Sequence, residues 1–306
     1  MAFPNTINID ELVAPISEDN PVGEDIREDR SPTSDYYSIK DARNSARAAE
    51  RSAMFDDADT DLLAPWRDVA KAAENILGKK SKDLEVASWY TEALIRLHGF
   101  IGLRDGLQVI DSLVEQYWEG LYPLPDEDGL ETKVAPLTGL NGDGGDGTLL
   151  MPIRSAGITP EGDYGDYSFF QFQQARDADR IADDDAKAAR IETLGYNLEQ
   201  IDQCVNSASG EWAQNLVQTI EAALGHFKTI NDSLRQSCGH DAPHPRIFHL
   251  YWMRCCGQAV LFIRRTWSLW SRLKKMWRLN HQKCLLGKFK LEMQLQQRLL
   301  LWLPLL

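Results

Sequence analysis

The sequence has little of what marks an enzyme, a membrane protein or an exported one. Its five cysteines, at 204, 238, 255, 256 and 284, include no Cys-x-x-Cys pair, so the spacing of zinc ribbons and dithiol redox motifs is missing. They read as reduced thiols of a cytosolic protein. No Gly-x-Ser-x-Gly elbow occurs, and no nucleophile–base pairing stands out. No apolar run approaches the roughly 18 residues of a membrane span; the closing LLLWLPLL is too short. The opening MAFPNTINIDELVAPISEDNPVGED has neither the basic n-region nor the apolar h-region of a signal peptide. A cytoplasmic location is expected. Positive charge is also scarce. The 33 Lys+Arg against 46 Asp+Glu leave a net charge of −13, which opposes binding to bare nucleic acid.

That charge is unevenly spread. Residues 240–306 hold 12 Lys+Arg against only Asp241 and Glu292, about +10, which leaves about −23 for residues 1–239. Within the acidic part, 1–35 is rich in Pro, Asp, Glu and Ser and reads as an extended arm with a turn at Pro21–Gly23. Tyr36, Ile39 and Arg43 then fall at helical spacing. Pro65 suits the first turn of a helix, and Trp66, Val69, Ala70, Ala73, Ile76 and Leu77 follow as one apolar face. Ser81 is placed to cap the next helix, whose stripe is Leu84, Ala87, Tyr90, Leu94 and Leu97. Gly99 and Gly102 punctuate a turn, and Leu103, Leu107, Ile110, Leu113, Val114 and Tyr117 carry a third stripe. Short turns between consecutive helices predict antiparallel neighbours. Gly120, Pro123 and Pro125 end the third helix, so Tyr117, Trp118 and Tyr122 are expected to clamp over its end.

Beyond residue 135 the pattern loosens. A Gly/Asp loop precedes a β-like run, Leu149–Ile153, and 167–177 reads as strand turning into helix. A small β-hairpin or irregular cap is predicted for 136–180. One helix is expected over 181–206, then a heptad seam of Leu216, Ile220, Ala223, Phe227, Ile230 and Leu234. The seam can close an αα-hairpin on itself or support self-association. The fold class is therefore mainly α: an antiparallel helical bundle over 36–135, the cap, and a helical hairpin over 181–239.

Candidate ligand sites are weak. NGDGGDGT at 141–148 lacks the Gly-Lys-Ser/Thr of a P-loop, and Asp143 and Asp146 have no bidentate Glu at EF-hand spacing. His240, His244 and His249 cluster near Asp241, but Pro243 and Pro245 preclude a helical His-x3-His presentation. No catalytic, cofactor or metal residue is assigned, and no enzyme is predicted.

Several blocks together resemble a known family. They are PISEDNPVGEDIRED (15–29), APWRDVAKAAENIL (64–77), SKDLEVASWYTEALIRLHGFIGLRDGLQVIDSLVEQYWEGLYPLPDED (81–128) and GDGTLLMPIR (145–154). Their order resembles the ImpA N-terminal domain of TssA-like proteins of the bacterial type VI secretion system. The resemblance implies a non-enzymatic cytoplasmic scaffold acting with baseplate, sheath and tube proteins. It implies structural or interaction roles for Pro21, Gly23, Trp66, Trp89, Gly99, Gly102, Gly106, Trp118 and Pro123. It also implies an acidic linker and a ring-forming domain after about residue 243, where the chain instead turns basic and carries five of its nine tryptophans. Permitted codons from Ile247 onward, read in a shifted frame, give an acidic helix and an acidic Pro/Glu linker. The tail from about 244 is thus expected to be out of frame, with reduced homo-oligomerisation if the ring-forming domain is absent. The competing reading is a genuine basic amphipathic helix at 260–279 that serves a membrane- or partner-binding adaptor.

Overall fold

The computed structural model describes residues 2–53, 61–127, 129–141, 147–160 and 166–238. The Gly/Asp loop with Asp143 and Asp146, the His240–His249 cluster and the basic tail lie outside the described residues. Among those described the fold is α-helical, and the only β pairing is isolated bridges.

The core is laid down by two segments. Helix α3 (Ala64–Lys79) follows a short α1 (Ile9–Val13) and α2 (Asp35–Ala53). Pro65 occupies its first turn, and Trp66, Val69, Ala73, Ile76 and Leu77 are buried on the face the spacing predicts. Helix α4 (Leu84–Tyr117) comes next. Its N-cap is Asp83 and not Ser81: the Asp83 carboxylate accepts from the backbone N–H groups of Glu85 and Val86. A charged acceptor suits the positive end of a helix, while Ser81 is engaged in a bridge with Gly23.

Gly99 breaks α4 with φ 56° and ψ −136°, a conformation open to glycine. The two halves then run back along each other, antiparallel as the sequence predicts. A Cβ built on Gly102 would lie 2.0 Å from the Leu94 carbonyl oxygen, and one on Gly106 2.9 Å from Thr91 Cα. The open ends of this hairpin also meet. Leu84 N–H donates to Tyr122 O at 2.7 Å, and Tyr122 N–H donates to Lys82 O at 3.0 Å.

Around α4 pack α3, α5 (Leu130–Asn141), α6 (Leu150–Ser155) and α10 (Gly210–Cys238), with α2 lying on α3. Three expectations are corrected here. Leu149–Ile153 is not a β segment, since Leu150–Ser155 is the short helix α6. The strand expected to open 167–177 is absent, since Ser168 caps α7 (Phe169–Asp179) through a reciprocal box with Gln171; the cap takes its irregular form among the described residues, with a bridge between Gly157 and Ser168. The single helix over 181–206 is two: α8 (Asp184–Leu194) stops at left-handed Gly195, and Asn197 caps α9 (Leu198–Ser207). The heptad seam of α10 is covered within the chain by α4. Leu216, Ile220, Ala223, Phe227, Ile230 and Leu234 are all buried as α10 packs along α4, and His226 Nδ1 contacts Asp111 Oδ2 at 2.8 Å across that interface.

The glycine contacts separate two kinds of substitution. Gly102→Ala forces a methyl into the Leu94 carbonyl and should cost about 3 kcal/mol, as overpacking does. Gly225→Ala, on an exposed stretch of α10 with open space around it, should gain about 0.5–1 kcal/mol from helix propensity. Urea unfolding of the two variants checks both signs.

Candidate interaction cleft

The first residues of the chain are strapped onto α4 by a buried pair. Arg104 donates to Pro4 O at 3.2 Å, to Asn5 Oδ1 at 2.8 Å and to the Asp105 carboxylate beside it. Asp105 also accepts from Thr6 N–H at 2.7 Å and Thr6 Oγ1 at 2.9 Å. Further on, the arm pairs edge to edge with the α3–α4 connection: Lys82 N–H donates to Val22 O at 2.7 Å and Glu24 N–H to Lys80 O at 3.0 Å. Gly23 sits at the closest approach. Its φ is 76°, and a Cβ there would lie 2.0 Å from Lys80 O. Pro21 is exposed in the preceding turn and its carbonyl accepts from Ile16 N–H.

Lys82 sits beneath this junction, fully buried, with Nζ donating to Leu12 O at 2.7 Å and Leu77 O at 2.6 Å. It ties α1 to the end of α3. Burial disfavours its charged form and lowers its pKa from 10.5 to about 8.

The arm also delivers Arg27 to α4, where it bonds Glu85 Oε2 at 2.7 Å and the buried Asp83 carboxylate. Arg27 begins a ladder of cations and rings. Its guanidinium lies 4.8 Å from the Tyr36 centroid, Tyr36 stacks on Trp89 at 5.9 Å, and Arg43 covers Trp89 at 5.5 Å. Arg43 is held in turn by buried Glu92 at 2.7 Å. Burial raises the Tyr36 pKa, which keeps its hydroxyl a proton donor to Glu85 at 3.2 Å.

This ladder forms one wall of a cleft of about 440 Å³ between α2, α4 and α5. Pro123, Ala135, Pro136 and Leu140 form the opposite wall, with Thr132 and Thr148 contributing hydroxyls. The arrangement offers aromatic and aliphatic contact with cations at the edge. Its buried carboxylates are committed to arginines.

The family-motif residues divide between cleft and core. Trp89 and Pro123 line the cleft, and Gly23 fixes the neighbouring junction. Trp118 ends α4 half-buried, with Lys133 Nζ 4.8 Å from its ring centroid and bonded to its carbonyl. Tyr117 donates to Val13 O at 2.8 Å, so this aromatic cluster fastens α1 and α5 to the end of α4. Trp66 is buried elsewhere, donating to Glu50 under the guanidinium of Arg96. Gly99, Gly102 and Gly106 shape the α4 hairpin. Sequence reasoning did not single out Arg27, Arg43 or Thr148 for the cleft. The arginine inside the PVGEDIRED block was the available signal for Arg27.

Residues 13–142 match the model of the ImpA, N-terminal, type VI secretion system family. Over these residues, less than half of its length, the chain is similar to that family. The matched segment contains the junction and the two main walls of the cleft. The type VI secretion system component TssA1 of Pseudomonas aeruginosa is 31% identical over 122 residues, which is 40% of this chain and 33% of that protein. The chain thus matches about a third of the length of this relative. In fold, it is similar to the N-terminal domain, including the conserved ImpA_N region, of the TssA component of the type VI secretion system from Burkholderia cenocepacia. The TM-score is 0.66 at 23% identity, covering 86% of this chain and 94% of that one. No helix among the described residues is long and apolar enough to cross a membrane.

Lys82 supplies a test of the junction. Its proton leaves the folded state at about 8 and the unfolded chain near 10.5. Between those values the unfolded state binds more protons, so wild-type stability rises with pH. Lys82→Met lacks that rise. Urea unfolding should show the stability difference moving toward wild type by about 2 kcal/mol from pH 8 to pH 10.

Proposed function

We propose that this chain is a non-enzymatic assembly component of the type VI secretion system, working in the cytoplasm with baseplate, sheath and tube proteins. The family match over 13–142 carries the reading. The duties of the buried charges support it. Lys82 binds two carbonyls, Asp83 caps α4 and holds Arg27, and Glu92 anchors Arg43. Each spends its polarity on joining elements, as suits a rigid docking body. Affinity-tagged full chain, recovered from secretion-active cells, should enrich baseplate, sheath or tube proteins over a tag-only control. Recovery of none of the three would reject the reading.

A second reading rests on the charge reversal, since residues 240–306 carry 12 of the 33 Lys+Arg. A basic amphipathic segment would draw the chain to an anionic surface. Full-length protein should then co-sediment with phosphatidylserine-containing liposomes several-fold better than residues 1–243; equal partitioning removes this alternative.

A further inference from the structure

Four large hydrophobic side chains stand exposed among the described residues: Tyr37, Leu63, Leu124 and Met151. Three of them adjoin the cleft in the chain. Tyr37 follows Tyr36, Leu124 follows Pro123, and Met151 lies three residues after Thr148. The Tyr37 ring lies 5.5 Å from that of Tyr36, so aromatic surface continues from the cleft wall onto an exposed ring. A cleft extended in this way suits an elongated segment, and exposed apolar surface with a polar rim marks interaction sites. Two polar groups remain uncommitted. Thr148 Oγ1 is buried with no hydrogen-bond partner among the described residues. Lys40 lies 5.4 Å from the Tyr36 centroid with no carboxylate partner among them. Arg27 and Arg43 are held by Glu85, Asp83 and Glu92, so Lys40 is the cation at this edge left to meet an incoming charge.

We infer that the cleft docks a short peptide segment of a partner protein, with an aromatic or aliphatic anchor between Trp89 and Pro136 and an adjacent carboxylate at Lys40. The anchor covers the rings and the α5 wall, and the peptide backbone can accept the Thr148 hydroxyl proton. The inference rests on the assembly reading only in taking the ligand to be a protein. Because its test uses isolated components, failure here leaves co-purification with secretion proteins unaffected.

The probe is a random octapeptide phage library selected on the full chain and counter-selected on Ala135→Trp, an exposed position whose indole would fill the cleft. Circular dichroism checks that this variant is folded. Enriched peptides should place an aromatic or aliphatic residue next to Asp or Glu. By fluorescence anisotropy, the best of them should bind Ala135→Trp and the surface variant Lys40→Glu about tenfold more weakly or worse. No enrichment over Ala135→Trp, a basic consensus, or binding indifferent to Lys40→Glu would each overturn the proposal.

Discussion

At Gly102 and Gly106 the two halves of α4 approach until backbone meets backbone. The Leu94 carbonyl and the Thr91 Cα occupy space that any larger residue would claim. Helices can approach this closely only where side chains are absent, and dispersion then acts over the whole length of the contact. Much of the described fold is laid on this hairpin. α3 and α5 pack against it, α10 runs along it, and the N-terminal arm is strapped to it through Arg104 and Asp105.

The hairpin also explains why so many charges can be buried. A charge taken out of water costs several kcal/mol unless it is met by partners in good geometry. Such geometry requires elements that do not shift. Glu92 receives Arg43 at 2.7 Å, Glu50 receives Arg96 at 2.6 Å, and Asp83 receives both Arg27 and two backbone N–H groups. Each pair joins α4 to an element distant in sequence. The cleft wall is a by-product of the same joints, because the arginines that neutralise Glu85, Asp83 and Glu92 also sandwich Tyr36 and Trp89.

Much of this was legible from spacing. The stripe from Trp66 to Leu77 follows from apolar residues recurring at helical intervals, and the turn at Gly99 from glycine falling between two such stripes; both appear where the sequence puts them. Other features depended on information that spacing does not hold. Ser81 was expected to cap α4, but the helix begins at Leu84 and its N-cap is Asp83, while Ser81 pairs through its backbone with Gly23 from across the fold. Five apolar residues at 149–153 are too few to distinguish strand from helix. The heptad seam of α10 specified an apolar face without naming its cover, which is α4. The break between α8 and α9 did carry a visible signal, left-handed Gly195 followed two residues later by the Asn197 cap. The cleft was the least legible feature, because Arg27, Trp89, Pro136 and Thr148 come from four separate stretches of chain.

The strap at the start of the chain reaches beyond α4. Phe3 N–H donates to Thr219 Oγ1 at 3.2 Å, and the Phe3 ring lies edge-on to Trp212 at 6.3 Å. Phe3 is thus held by some of the last residues of the described fold, across a separation of 216 positions. On the ribosome that contact has no partner until α10 emerges. The α3–α4 core can close early on local contacts, whereas loops this long close late. Synthesis therefore leaves the N-terminal arm only partly docked until α10 is added, and a chain stopped before Trp212 would lack this last closure.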